Sequence, residues 1–221
     1  MNGRAHAVRA DHIDDFVRSL SEAEVPPHMY NQYAPGSLHN ATRRANLRRY
    51  LEEMAARRPA AMLVGEAPGY RGCRLSGIPF TSEAIMLAGV PAHDLLGEAK
   101  GYRKTAEWPR PAGEQTATIV WQALAPLPRL PLLWNVVPWH PHRPGKPWSN
   151  RRPRAAEIAL GAPYLVRLAE LFGVEQVIAV GRTAGRVLER LGLLGGTVRH
   201  PAHGGKRDFT RGVRAYLGPR P

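Results

Sequence analysis

The stretch AMLVGEAPGYRGCRLSGIPFTSE, residues 61–83, decides the fold of this chain. Its first four residues are apolar and run directly into Gly65-Glu66-Ala67-Pro68-Gly69, a pattern typical of a buried strand that ends in a tight turn. Glycine and proline recur as far as residue 79, so the backbone can approach a ligand closely. The stretch therefore predicts a strand followed by a binding loop, here called the glycine loop (residues 65–83), with one carboxylate at the strand's carboxyl end.

Two further apolar runs have the length of strands, near residues 130–137 and 174–180, and residues 198–199 are a last short strand candidate; helical patterns separate these segments. This alternation predicts a three-layer α/β/α fold, in which helices cover a central, mostly parallel four-stranded sheet. Residues 1–39 are irregular apart from a short helix between Asp11 and Leu20. They predict an N-terminal arm packed on a single domain of residues 40–221.

A long helix is predicted from about residue 40 to Arg58, with Asn40 or Thr42 as its cap. One face is apolar. The other face carries four arginines, for which we expect exposure to solvent rather than contact with DNA: Arg43, Arg44, Arg48 and Arg49.

The composition is strongly basic, with 31 Lys and Arg against 18 Asp and Glu and a net charge of +13. This excess favours a polyanionic partner, nucleic acid before membrane, although an arginine-rich proteome would also explain it. The single cysteine, Cys73, excludes an intramolecular disulfide and any four-cysteine metal site within one chain, and favours a reducing compartment. No apolar run is long enough for a signal segment or a membrane span, so we expect a soluble, cytoplasmic protein.

Polar residues stand at the carboxyl ends of three predicted strands, namely Glu66, Asn135 and His200. Because ligands of parallel sheets bind beyond these ends, we expect the three side chains to converge on one crevice. The glycine loop has neither the dinucleotide fingerprint nor the P-loop sequence. His140 and His142 lack a third partner, so no metal site is expected.

Three runs occur in the order and spacing of the signature motifs of the uracil-DNA glycosylase superfamily: GEAPGYRGCRLSGIPF (65–80), WNVVP (134–138) and RHPAHGGKRDF (199–209). The chain resembles this superfamily from about residue 60 to 217, and its first run resembles the motif of a branch that includes thermophilic bacterial enzymes. The resemblance implies the four-stranded fold and hydrolysis of the N-glycosidic bond of a base flipped out of DNA. It implies uracil-containing DNA as partner, uracil as product and no cofactor, and we expect a monomer.

The residues suit this chemistry. Phe80 offers a flat face to a flipped base, and the amide of Asn135 can accept from uracil N3–H and donate to O4. His200 would stabilise the negative charge that develops at O2, while Glu66 would hold the attacking water or balance the cationic sugar. Further contacts with the base are expected from the glycine loop, at Gly65, Ala67, Gly69 and Tyr70.

The resemblance also implies that the loop after His200 presses into the minor groove of DNA. The loop has no large aliphatic wedge, so either His203 or Arg207 fills that place or the enzyme favours single strands and weakly paired bases. Contacts with phosphates and the groove are expected from a basic and glycine-rich set: Arg143, Lys146, Arg151, Arg152, His203, Gly204, Gly205, Lys206 and Arg207.

The chain departs from the family pattern at three positions. The branch that shares the first motif holds an iron–sulfur cluster through four cysteines, which Cys73 alone cannot do, so we expect a cluster-free relative. In the best-studied branch an aspartate stands at the position of Ala67 and a tyrosine, which excludes thymine, at that of Gly69. The alternatives are therefore a glycosylase for hypoxanthine, xanthine or mismatched thymine, and a module that binds uracil or abasic DNA without turnover.

Overall fold

The computed structural model describes residues 8–219. Its helices are α1 (Ala10–Glu22), α2 (Leu38–Arg57), α3 (Cys73–Ser76), α4 (Glu83–Ala88), α5 (Gln115–Leu124), α6 (Ala155–Phe172), α7 (Arg182–Arg190) and α8 (Lys206–Leu217). Its strands are β1 (Met29–Tyr30), β2 (Ala61–Gly65), β3 (Leu132–Asn135), β4 (His140–Pro141), β5 (Gln176–Val180) and β6 (Leu194–Val198). Between α4 and α5 the chain forms two short 3₁₀ turns, Pro91–His93 and Glu98–Lys100.

The central sheet has four strands in the order β3-β2-β5-β6, and every neighbouring pair is parallel. Helices flank this sheet, so the predicted α/β fold is confirmed. The β2 strand lies between β3 and β5 and is almost fully buried, which explains why its sequence is a continuous apolar run rather than an alternating one. The register pairs Gly65 with Asn135, so two of the signature motifs meet side by side at the same edge.

The N-terminal helix α1 belongs to the same hydrophobic core as the sheet. Ile13, Phe16 and Leu20 are buried, and the ring of Phe16 packs 5.4 Å from that of Trp134 on β3. The β1 strand pairs antiparallel with β4 and fixes the chain that follows α1. The predicted boundary at residue 39 falls inside α2, while residues 1–7 of the predicted arm and residues 220–221 of the predicted domain lie outside the described residues.

Two expectations about the long helix are wrong. The helix α2 begins at Leu38 with Ser37 in the N-cap position, and Asn40 instead donates from its buried amide to the Ala34 carbonyl at 3.1 Å. Arg43 is fully buried rather than exposed, because its guanidinium pairs with Glu107 and donates to the Leu75 carbonyl at 3.2 Å. A charged group can be buried when partners from distant segments satisfy it in this way.

One further boundary differs from the expectation. The last strand, β6, begins at Leu194 rather than near residue 198, and it is more exposed than β2. The last helix, α8, begins at Lys206. Within residues 8–219, no helix combines the length and the apolar character needed to cross a membrane.

Candidate active site

A cavity of about 560 Å³ opens at the carboxyl edge of the central sheet. Glu66, Asn135 and His200 all line it, so the three strand-end residues are brought together as expected. The cavity also takes in most of the other residues singled out from the sequence: Gly65, Ala67, Gly69, Phe80, Arg143, Arg151, Arg152 and His203.

Gly65 forms the floor of the cavity because a side chain cannot fit there. An ideal Cβ on Gly65 would lie 2.6 Å from Oδ1 of Asn135 and 2.6 Å from Cζ of Phe80. The missing side chain therefore lets the aromatic ring and the amide approach the same stretch of backbone. Phe80 reaches this place with a left-handed backbone, φ 54°, which is uncommon for a residue with a large side chain. The result is a flat apolar face beside a polar edge.

Glu66 follows β2 directly and lines the cavity with a partly buried carboxyl group. Its Oε1 is buried and has no hydrogen-bond partner among the described residues. Burial raises the pKa of Glu66 above its ordinary value, and the charge of Arg152 and the hydroxyl of Thr183 oppose this shift. An unpartnered carboxylate oxygen in a cavity can accept a hydrogen bond from a water or from a ligand.

His200 stands beyond β6, and its ring nitrogens have different surroundings. Nδ1 accepts a hydrogen bond of 3.1 Å from the backbone N–H of Ala202. Burial lowers the pKa of His200, and Arg199 and His203 lower it further, whereas the nearby carboxylate of Glu114 opposes the shift. The imidazole is thus held neutral, with its proton on the Nε2 nitrogen.

Glu114 and Asn150 are polar residues of the cavity that were not found from the sequence. Glu114 caps α5 by accepting from the backbone N–H groups of Thr116 and Ala117, at 2.9 and 2.7 Å. Its position just before a helical pattern was the available signal. Asn150 accepts from the backbone N–H of Tyr70 at 3.0 Å, and no local pattern marks it.

Tyr70 does not line this cavity. Its ring is 6.4 Å from that of Trp108 between centroids, and Tyr70 lines a neighbouring cavity instead. An ideal Cβ on Gly69 would lie 3.8 Å from Asn150 Nδ2, in ordinary contact. Tyr70 thus lies outside the cavity that holds Glu66, Asn135 and His200, and Gly69 leaves this side of the cavity without a bulky side chain.

The basic residues of the loop before α6 divide into two groups. Arg143, Lys146 and Arg152 are exposed, and the first and last of them line the cavity. Arg151 is instead used inside the protein, because it forms a two-point ion pair with Glu157, at 2.6 and 2.7 Å, and donates to three backbone carbonyls. Its guanidinium is not available to a phosphate.

The loop after His200 is mostly exposed, including His203 and Gly204, and Arg207 in the first turn of α8 is exposed as well. Lys206 donates to Oε1 of Gln122 at 2.9 Å. Gly205 is buried, and an ideal Cβ on it would lie 2.1 Å from the His200 carbonyl oxygen. Gly205 thus supports His200 by close packing of its backbone rather than presenting itself to a phosphate.

His140 holds the glycine loop in place through a hydrogen bond to its backbone. Its Nδ1 lies 2.8 Å from the Pro68 carbonyl, which requires the N–H at this nitrogen. Burial lowers the pKa of His140 to about 4, so the ring is neutral at ordinary pH. Among the residues that the structure describes, no three His, Cys, Asp or Glu side chains are grouped to hold a metal ion. With one cysteine, buried beside Tyr33, the chain does not fit an iron–sulfur cluster.

Comparison with known proteins agrees with this architecture. The crystal structure of wild-type SMUG2 from Pedobacter heparinus matches the fold with a TM-score of 0.61 over 94% of each chain, at 14% sequence identity. No curated protein matches the sequence. The family model of the uracil DNA glycosylase superfamily matches residues 52–215, which contain all three motifs and the whole central sheet. This match supports a DNA glycosylase, an enzyme that acts on DNA in repair. The chain belongs to the uracil DNA glycosylase superfamily.

Proposed function

We propose that this chain is a monofunctional DNA glycosylase that hydrolyses the N-glycosidic bond of uracil in DNA and leaves an abasic site for base-excision repair. The observation that carries the proposal is the close approach of Phe80 and the Asn135 amide to Gly65, each at 2.6 Å from an ideal Cβ. This arrangement offers a flipped base both a face and an edge. A base taken out of the stack needs both, because it loses its stacking and its pairing partner.

Asn135 gives the site its preference for uracil. In one of its two orientations the amide accepts from N3–H and donates to O4. Cytosine presents the reverse pattern at both atoms, so it would leave buried polar groups unpaired at a cost of about 1–3 kcal/mol each. Asn135 is only 4% exposed, so water compensates little for a mismatch.

His200 and Glu66 act on the two charges that develop as the bond breaks. The departing base gains negative charge, and the Nε2–H of a neutral His200 would donate to its O2. The sugar gains positive charge, which the carboxylate of Glu66 balances. The unpartnered Oε1 of Glu66 can accept from the attacking water and orient it towards the sugar. Ala67, where the best-studied branch has an acid, supplies no second carboxylate, so the role falls to Glu66.

Exposed cations around the cavity mouth would hold the DNA backbone. Arg143 and Arg152 line the cavity, and Lys146 lies in the same loop as both. Beyond His200, the exposed His203 and Arg207 stand where the loop would meet the groove. Each phosphate contact would add affinity that falls with salt and would not discriminate between bases.

The test is incubation with an oligonucleotide that contains one uracil, in single- and double-stranded form, followed by alkali. We expect strand cleavage at the uracil, and free uracil as the other product. Asn135→Ala is expected to lose activity. Asn46→Ala is the matched control, since it removes another buried amide, one that donates to the Ser76 and Arg103 carbonyls, accepts from the Arg103 backbone N–H and does not line the cavity. An intact strand with wild-type protein on both substrates would refute the proposal.

One observation favours a wider range of bases. Gly69 has no side chain and Tyr70 is directed away, so nothing bulky stands where the 5-methyl group of thymine is excluded in the best-studied branch. Oligonucleotides with hypoxanthine, xanthine or mismatched thymine in the same assay test this second candidate. Release of these bases at a rate comparable to that of uracil would support it.

A further inference from the structure

A second cavity, of about 320 Å³, adjoins the candidate active site. Gly69, Glu114 and Asn150 line both cavities and form a common wall. Tyr70 and Arg71 line only the second cavity. The proposed glycosylase reaction does not use this second cavity, although only the common wall separates it from the cavity that would hold the flipped base.

Three aromatic rings form a row beside the second cavity. Tyr70 lies 6.4 Å from Trp108 between ring centroids, and Trp108 lies 5.4 Å from Trp148. We call these three residues the aromatic row. Trp148 is 39% exposed and the other two are partly exposed, whereas the remaining tryptophans of the chain are buried. The guanidinium of Arg71 lies 5.5 Å from the centre of the Trp108 ring.

The aromatic row is held in place from behind. The buried Arg74 places its guanidinium 3.6 Å from the centre of the Trp148 ring and 4.4 Å from that of Tyr30. Glu107, which precedes Trp108 in the chain, pairs with Arg74 at 3.4 Å and also with the buried Arg43. These ion pairs anchor the loop that carries Trp108. A surface that is ordered before binding loses little conformational entropy when a ligand stacks on it.

We propose that the aromatic row binds an unpaired base that neighbours the flipped nucleotide on the same DNA strand. This inference rests on the proposed function, because it takes the DNA strand to enter the first cavity. Aromatic side chains stack with any base, and a guanidinium adds to such stacking. Tyr70 lines the second cavity, so the common wall puts the Tyr70 end of the row next to the flipped base, and the charge of +13 favours the strand as occupant.

The aromatic row would then set the strand preference of the enzyme. A base in a duplex is already stacked and paired, so it must leave the helix before it can stack on Trp108. A base in a single strand has no such cost. The loop after His200 also lacks a large aliphatic wedge to open a duplex. Both features favour single-stranded DNA.

The experiment uses single-stranded oligonucleotides with one uracil, in which the nucleotide on the 5′ or the 3′ side is either normal or an abasic tetrahydrofuran analogue. With wild-type protein we expect kcat/KM to fall at least about fivefold when the base is missing on one side and to change little on the other. Trp108→Ala lowers kcat/KM for the normal strand and removes the dependence on the neighbouring base. Trp108→Phe, which keeps a ring, restores it.

Tyr70→Ala is a second variant in case Trp108→Ala alters the packing of Trp148, and it is expected to weaken the same dependence. Tyr216→Ala is the matched control, because Tyr216 is 41% exposed and lies on α8, outside the aromatic row. We expect Tyr216→Ala to keep the full dependence of kcat/KM on the neighbouring base. A wild-type enzyme that is indifferent to the neighbouring base on both sides, or two variants that keep the full dependence, would overturn the inference.

Binding separates this inference from the proposed function. The same strands, with thymine in place of uracil, are titrated by fluorescence anisotropy. In one outcome, wild-type protein releases no base, but its affinity still depends on the neighbouring base and Trp108→Ala abolishes that dependence. The inference about the aromatic row then holds and the proposed function fails. If uracil is released but neither rate nor affinity depends on the neighbouring base, the aromatic row fails alone.

Discussion

The backbone N–H of Ala202 donates to Nδ1 of His200 at 3.1 Å, and this bond decides which nitrogen carries the proton. A neutral imidazole has one donor and one acceptor, so Nε2 must be the donor. Burial lowers the pKa of His200, and the ring is therefore uncharged near neutrality. His200 can donate a hydrogen bond to a developing anion without bringing a full charge into the site.

We expect the pH dependence of kcat/KM to have a limb on the acid side of neutrality and none near pH 7 from His200. Burial lowers the pKa of His200, so its ring gains a proton only below the ordinary range of an imidazole. Burial raises the pKa of Glu66, so its carboxyl group gains a proton at a higher pH than an exposed glutamate does. The proton on His200 would disrupt the neutral donor, and the proton on Glu66 would remove the carboxylate. Initial rates with wild-type and Glu66→Gln protein check this. A loss of activity as the pH rises through neutrality would indicate a charged imidazolium instead.

Gly65→Ala is expected to lower kcat/KM by about two orders of magnitude. The new methyl group would overlap both Asn135 Oδ1 and Phe80 Cζ, and displacement by about 1 Å in a reactive site costs this much. We expect stability to fall by about 1–3 kcal/mol, as for other overpacked sites. Steady-state kinetics and thermal unfolding separate the two effects. A variant with wild-type kinetics would mean that Phe80 and Asn135 do not share the substrate.

Asn135→Asp is expected to lower kcat/KM for uracil about tenfold to a hundredfold. The carboxylate has no N–H to donate to O4, so a buried acceptor of the base is left unpaired. The loss should be smaller for cytosine, whose exocyclic amine donates where uracil accepts. Parallel assays on uracil and cytosine substrates give the ratio. An equal loss on both bases would speak against recognition of the pyrimidine edge by Asn135.

Arg151→Met is expected to lower the stability of the protein, whereas Arg152→Met is expected to weaken its binding to DNA. Arg151 is the partly buried partner of Glu157, which is 1% exposed, so removal of Arg151 leaves a buried carboxylate without its cation and costs about 3 kcal/mol of stability. Arg152 is exposed at the cavity mouth, and its removal should weaken binding to DNA and reduce the salt slope of log K by about one. Chemical unfolding and anisotropy titrations at several salt concentrations measure both quantities. If Arg152→Met has the same salt slope as the wild-type protein, Arg152 does not contact a phosphate of the DNA.

The strands and the convergence of the site were predictable because they depend on local signals. The apolar run before Gly65 and the polar residues at strand ends place Glu66, Asn135 and His200 without knowledge of any distant contact. The superfamily motifs gave the order of these elements along the chain.

The errors concern residues whose partners are distant in sequence. The periodicity of α2 predicts that Arg43 is exposed. Arg43 is buried instead, because it pairs with Glu107, which lies in a loop 64 residues later in the chain. Arg151 and Arg152 are the same residue type in sequence, and only the fold distinguishes them, since Arg151 bonds to Glu157 and to three backbone carbonyls. Asn150 was missed because its link to Tyr70 exists only once the loops meet.

The thiol of Cys73 can report on the opening of the glycine loop. It is the only thiol of the chain, it is 3% exposed and it lines the cavity, and the hydroxyl of Tyr33 lies 3.8 Å from its Sγ. Burial raises the pKa of Cys73 to about 12, so an alkylating reagent can attack only when the loop transiently opens. The alkylation rate of the unmodified protein therefore measures how often the loop opens, and bound DNA should slow it.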